Sequence, residues 1–159
     1  MLAFTPASTE ADARAIVALH EAVAQRHAAL AGARRWRVPA LDRVVASLPR
    51  MTTLLARADA SAVATFRLDP AKGFCGIARF TEVPRFVYLD EMAVHPSWQR
   101  KGVGRACLAE AERWSRANAV NAIRLDTNDD AVGARRFYSA CGYREVLHHR
   151  ETLYFERLF

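Results

Sequence analysis

The run Phe86 to Val94 (FVYLDEMAV) constrains this chain more than any other stretch. It is apolar at most positions and rich in aromatic and β-branched side chains, as suits a strand buried in a sheet. His95-Pro96-Ser97 ends it, because proline cannot donate to a strand ladder. The loop Gln99-Arg100-Lys101-Gly102-Val103-Gly104 follows and leads into a helix predicted from about Gly102 to Ala117. Val103, Ala106, Cys107, Ala111 and Trp114 form that helix's apolar stripe. A strand, a glycine loop and a helix in this order are one unit of an α/β sheet.

The rest of the chain supplies more of the same material. Leu2 to Phe4 reads as a short first strand, and Ser8 or Thr9 caps a helix carried by Ile16, Leu19 and Val23 towards Leu30, with Gly32 as its stop. A shorter helix follows Pro39 through Leu41, Val44, Val45 and Leu48. Thr52 to Arg57 and Ala62 to Leu68 form a hairpin about the turn 58–61. Residues 69–84, with two glycines and two prolines, read as an irregular excursion with a short strand around Ile77 to Phe80. Ala122 to Asp126 is a further strand, Ala131 to Cys141 a helix stopped by Gly142, and Tyr143 to Leu147 with Thr152 to Phe155 a closing hairpin. The expected fold is α/β: a central mixed sheet flanked by helices, in one domain over residues 1–159.

Composition removes several function classes. No apolar run is long enough to cross a bilayer, and the N-terminus lacks the basic start and apolar stretch of a secretory signal, so a cytoplasmic protein is expected. The three cysteines, Cys75, Cys107 and Cys141, make no CxxC pair, and the five histidines form no metal-like set with them, so no metal is expected. The net charge of +6 suits a polyanionic ligand. The lysines and arginines are scattered without interleaved aromatics, and no specific nucleic-acid partner is expected.

The glycine loop is the chemical signal. A helix start offers free N–H groups and the positive end of the helix dipole, a fit for phosphate. Gly102 and Gly104 allow the backbone close to a pyrophosphate, and Arg100, Lys101 and Arg105 surround it with charge. A Walker A loop is excluded because Arg105-Ala106 stands where Lys-Ser/Thr is required. A dinucleotide fingerprint is excluded because Cys107 stands where Gly or Ala is required, and the loop does not follow the first strand.

Strand and loop together, Met92-Ala93-Val94-His95-Pro96-Ser97-Trp98-Gln99-Arg100-Lys101-Gly102-Val103-Gly104, resemble the acetyl-CoA site of the GNAT superfamily of N-acetyltransferases. The later segment Ala134-Arg135-Arg136-Phe137-Tyr138-Ser139-Ala140-Cys141-Gly142-Tyr143 resembles that family's helix ending in an aromatic-Tyr pair followed by Gly-aromatic. The resemblance runs from Phe86 to Tyr143 and implies a GNAT-like fold with splayed central strands. It also implies acetyl-CoA as co-substrate, transferred to an amine of a small molecule or peptide by direct attack in a ternary complex. No membrane partner is implied, and a homodimer is left open.

By resemblance, Met92, Ala93 and Val94 make the pantetheine contacts, with the Met92 N–H as oxyanion donor, and Gln99, Arg100, Lys101, Gly102, Val103, Gly104, Arg105 and Phe137 complete the cofactor set. Ala131 stands where many relatives carry a pantetheine-binding Asn, and Asn128, one helical turn earlier, is the substitute. Tyr138 matches the family's general acid. For the base, Glu91 comes first and Asp90 second, since a carboxylate inside an apolar strand is either functional or neutralised by a cation such as Arg79 or Arg124. Alternation along the strand puts the two on opposite faces. Asp126 is a further candidate, and a base acting through water also satisfies the chemistry. The basic run Arg34, Arg35, Arg37 beside Trp36 reads as solvated surface or as the lining of the acceptor cleft. An acceptor with its own carboxylate suits the positive balance, and a non-catalytic CoA-binding sensor or interaction module of the same fold is the alternative function.

Overall fold

The computed structural model describes residues 1–30, 35–72, 79–128 and 133–159. Strand β1 (Leu2–Pro6) leads to helix α1 (Glu10–Ala28), helix α2 (Leu41–Ser47) and a hairpin of β2 (Thr52–Ala58) and β3 (Ser61–Asp69). Strand β4 (Phe86–Val94), a 3₁₀ turn (Pro96–Trp98) and helix α3 (Val103–Ala117) follow. Strand β5 (Ala122–Asn128), helix α4 (Ala134–Ala140) and strands β6 (Arg144–His149) and β7 (Thr152–Leu158) complete the chain. One seven-stranded sheet takes the order β1-β2-β3-β4-β5-β7-β6.

Local chemistry sets the element ends. Thr9 begins α1 with a capping box: its hydroxyl accepts from the Asp12 N–H at 3.1 Å, and the Asp12 carboxylate accepts from the Thr9 N–H at 3.0 Å. Helix α4 starts three residues later than Ala131, because Gly133, at φ +85°, occupies its N-cap. Gly142 ends it in the left-handed region, at φ +82°, as expected of a C′ glycine. Gly32, Phe74, Cys75, Ile77, Arg34 and Ala131 lie outside the described residues. Phe80 and Arg79, at the end of the expected short strand, are not in a strand.

The sheet is covered differently on its two faces. On one, Phe66, Leu68, Leu89, Ile123, Leu125 and Phe155 pack against Val103, Cys107, Leu108 and Ala111 of α3. The buried stripe of α3 centres on Cys107, Leu108, Ala111 and Ser115, and Ala106 and Trp114 are only half buried. On the other face Leu55 packs with Ala13, Ile16 and Leu19 of α1 and Val44 of α2.

Two irregularities shape the middle of the sheet. Strands β4 and β5 run parallel but pair only at Phe86↔Ala122, Val87↔Ile123 and Tyr88↔Arg124, and beyond Tyr88 they part. Between β3 and β4 the register shifts, so that Phe66 alone opposes both Glu91 and Met92. That β-bulge turns on Glu91, whose φ is +49°. Glu91 and Met92 therefore share Phe66 on the β3 side and have no partner in β5.

Candidate active site

The glycine loop forms at the end of β4 as the sequence predicts. The Gln99 side-chain amide donates to the Val94 carbonyl at 3.0 Å, fastening the loop to the strand. Arg100 (φ +62°) and Gly102 (φ +84°) are both left-handed, and Gly102 is the N-cap of α3. Curled backbone of this kind turns N–H groups towards a common anion. The first helical bond runs from the Ala106 N–H to the Gly102 carbonyl, so the N–H groups of Val103, Gly104 and Arg105 have no helical acceptor. No side chain caps this end and no acidic residue lies in its first turn. Arg100, Lys101 and Arg105 stand there instead, a placement that opposes the helix dipole unless an anion joins them. The donor set fits a CoA pyrophosphate.

Gly104 brings this terminus against the rest of the site. A Cβ there would stand 3.1 Å from Cζ of Phe137 and 3.5 Å from Cε of Met92. Three expected cofactor residues are thus in contact across α3, α4 and β4. Arg105 reaches α4 through the Ala140 carbonyl at 3.3 Å. Lys101 lies over the Trp98 ring, 5.6 Å from its centroid, and His95 caps the 3₁₀ turn through Ser97. Asn128 is the last residue of β5, paired with Thr152, and belongs to a strand end rather than to a preceding helical turn.

The bulge changes the expected geometry of the carboxylates. Asp90 and Glu91 do not diverge to opposite faces, because the left-handed turn at Glu91 lets Arg67 of β3 bind both. Its Nε and Nη2 donate to the two Asp90 oxygens at 2.8 and 2.9 Å, and its Nη1 lies 3.2 Å from Glu91 Oε2. Lys72 adds a bond to Asp90 at 3.1 Å. The neutralising cations are Arg67 and Lys72, not Arg79 or Arg124. Arg124 instead donates to the Thr81 carbonyl and stacks on Phe86. Burial raises the Glu91 carboxyl above its ordinary value, against the downward pull of Arg67.

Phe137 and Tyr138 meet different neighbours. Phe137 faces the loop through Gly104, while the Tyr138 ring is wedged among Phe137, Tyr143 and Phe155, with centroids at 5.1, 6.0 and 5.5 Å. Burial pushes its phenol well above the ordinary tyrosine value, and the Asp126 carboxylate adds to the push. The shift keeps the phenol protonated near pH 7 and makes it a weaker acid than an exposed tyrosine. Where β4 and β5 part, the Tyr88 hydroxyl donates to Asp126 Oδ1 at 2.6 Å, and Lys72 Nζ sits 4.5 Å from the Tyr88 ring centroid.

Sequence reasoning missed Arg67, Lys72, Tyr88 and His20 as neighbours of the site. Only Arg67 left a local trace, as a charge inside the otherwise apolar run Ala62 to Leu68. The buried His20 of α1 accepts a hydrogen bond from Trp36 Nε1 at 3.0 Å. Trp36 in turn lines an open cleft of about 760 Å³ with Ala24, His27, Arg35, Arg37 and Val38. No residue of the 99–104 loop lines this cleft, which opens on the α1 side of the sheet.

A mixed sheet that parts at its centre, with an uncapped and cation-ringed helix terminus where the freed strand ends, defines an α/β protein built to hold a pyrophosphate-bearing ligand. The sequence pattern of the acetyltransferase (GNAT) family matches residues 34–143, and the chain belongs to that family. Over 66 residues it is 35% identical to an aminoglycoside N(6')-acetyltransferase type 1 of Stenotrophomonas maltophilia, a match covering 42% of this chain and 43% of that protein. The fold is similar to that of the PaiA N-acetyltransferase of Thermoplasma acidophilum, crystallised with coenzyme A, at a TM-score of 0.76 and 15% identity over 100% of this chain and 99% of that one. It is also similar to the ribosomal-protein-S18-alanine N-acetyltransferase of Escherichia coli, at a TM-score of 0.72 and 16% identity over 99% and 94% of the two chains. Among the described residues no cluster of acidic, His or Cys side chains could hold a metal ion, and no helix is long and apolar enough to cross a membrane.

Proposed function

We propose that this protein transfers the acetyl group of acetyl-CoA to an amine of a small molecule or peptide by direct attack in a ternary complex. The observation that carries the reading is the uncapped terminus of α3 standing beside the end of β4, where pairing with β5 has stopped at Tyr88 and the strand bulges at Glu91 and Met92. Acetyl-CoA supplies the thioester. The Val103, Gly104 and Arg105 N–H groups with Arg100 and Lys101 take its pyrophosphate, and Met92, Ala93 and Val94 line its pantetheine arm. The Met92 N–H serves the thioester oxygen as that oxygen gains charge. Glu91, with the raised carboxyl, accepts the amine proton, and Tyr138 returns one to the leaving thiolate. Asp90, held by two cations, balances Arg67 and is not the base.

The first test is thermal unfolding with and without saturating acetyl-CoA. At 100 times its Kd the ligand stabilises the native state by about 2.7 kcal/mol, which raises the melting temperature measurably. The rise should vanish in Arg100→Glu/Lys101→Glu, whose exposed side chains leave the core untouched, and in Gly104→Glu. Absence of any rise in the folded wild type would overturn the reading. The ion pair of Glu91 with Arg67 favours a second reading, a CoA-binding module without turnover. A rise without transfer to any member of a broad amine panel would select it.

A further inference from the structure

The open cleft of about 760 Å³ beside α1 is used by no step of the chemistry above. His20, Ala24 and Ala28 follow one another at intervals of four and so share one face of α1. The two alanines line the cleft and leave open the space that larger side chains would fill, and Val38 adds a further apolar wall. Trp36 stands in this hollow, half buried and held in place twice. Its Nε1 donates to Nδ1 of the buried His20 at 3.0 Å, and the His27 ring lies against it with centroids 5.2 Å apart.

Arg35 and Arg37 flank Trp36 in sequence and line the same cleft. Both are exposed, and among the described residues neither has a hydrogen-bond or ion-pair partner. No Asp or Glu is among the described residues of the lining. Two free guanidinium groups beside a fixed aromatic surface repel cations and offer paired N–H donors to an anion. The apolar walls favour a singly charged carboxylate on an apolar body over a doubly charged, strongly hydrated phosphate.

The cleft also opens on the side of the sheet that bears the carboxylates. Phe66 and Leu68 of β3 face α3, so alternation turns Arg67 to the opposite face. Helix α1 packs across β3 and β4 on that face, and Asp90 and Glu91 are drawn there by their ion pairs with Arg67.

We propose that this cleft selects the acceptor by a carboxylate. Arg35 and Arg37 take the carboxylate, Trp36 and His27 take an apolar or aromatic body, and the amine at the other end of the molecule is presented to Glu91. A polycationic amine is refused. That the occupant is the acceptor rests on the proposed acetyl transfer, whereas the carboxylate site itself does not.

The test has two arms on the full chain. In the first, the indole ¹⁵N–¹H resonance of Trp36, identified by its loss in Trp36→Phe, is followed as benzoate or benzamide is added. Benzoate should shift it and bind about tenfold or more tightly than benzamide, the scale of a charge-assisted hydrogen bond. Arg35→Gln/Arg37→Gln, which alters only exposed side chains, should abolish that advantage. No shift, equal binding of the two probes, or an advantage that persists in the double variant overturns the proposal. In the second arm, kcat/KM is compared within three pairs of amines: 4-(aminomethyl)benzoate, 6-aminohexanoate and phenylalanine, each against its own amide. Whichever pair is acetylated should show the carboxylate preferred about tenfold or more, and the double variant should bring the two members within about twofold of each other. Equal rates within each acetylated pair in wild type, or a preference retained by the double variant, overturns the proposal. A protein that binds acetyl-CoA but acetylates no amine defeats the proposed transfer alone, and the benzoate titration still decides for or against the carboxylate site.

Discussion

Arg67 offers three guanidinium nitrogens to two carboxylates, and the division decides which of the two keeps the capacity to take a proton. Asp90 receives Nε and Nη2 and adds Lys72, whereas Glu91 receives only Nη1. Asp90→Asn leaves the half-buried Arg67 without its fork partner, and it should cost about 3 kcal/mol in urea unfolding. Glu91→Gln should leave the melting temperature nearly unchanged, because its side chain is 37% exposed, but lower kcat about a hundredfold or more. A base must be ionised to act, and the Glu91 carboxyl is raised by burial. Wild-type kcat/KM should therefore fall as pH drops through a value above the ordinary carboxylate range. Glu91→Gln should lose that acid limb, and a variant that retains it shows that another group titrates.

At the scale of elements, the two longest helices end in opposite ways, and the difference separates stability from binding. Helix α1 begins with its own capping box, so Thr9→Ala should cost about 1 kcal/mol. For a chain of this size that lowers the melting temperature by about 2–4 °C, with acetyl-CoA affinity unaffected. Helix α3 begins with nothing but N–H groups and cations, so its terminus should respond to ligand and to salt. Acetyl-CoA affinity measured by calorimetry should weaken as ionic strength rises. Arg100→Glu/Lys101→Glu should bind more weakly and with a flatter salt dependence. Equal salt slopes in the two proteins would place the pyrophosphate elsewhere.

Over the whole molecule, what was legible in the sequence is what is local in the chain. The strand Phe86–Val94, the loop and the start of α3 are contiguous, and their punctuation by Pro96, Gly102 and Gly104 fixes them without reference to the rest of the fold. The carboxylate cluster was misread because it depends on a one-residue slip between β3 and β4, which alternation along a single strand cannot reveal. Arg67 and Asp90 are 23 positions apart and His20 and Trp36 are 16 apart, so only the assembled sheet and helix bring them together. His20 then links the fold to pH. In the unfolded chain it titrates at 6.5, and in the folded protein, walled by Trp36 and pushed by the nearby Arg67 guanidinium, at about 4. Between those values the unfolded chain binds a proton that the folded protein refuses, so stability falls as pH drops. The integrated loss is about 3 kcal/mol, most of it spent by pH 4. The raised Glu91 works in the opposite direction, since it takes a proton more readily in the folded protein. Urea unfolding from pH 7 to pH 4 in wild type and His20→Gln separates these effects. The variant should show a shallower decline, and it is the difference in slope rather than in absolute stability that reports the imidazole. Parallel curves would mean that His20 is protonated in the folded protein as readily as in the unfolded chain, with the Trp36 bond unable to hold it neutral.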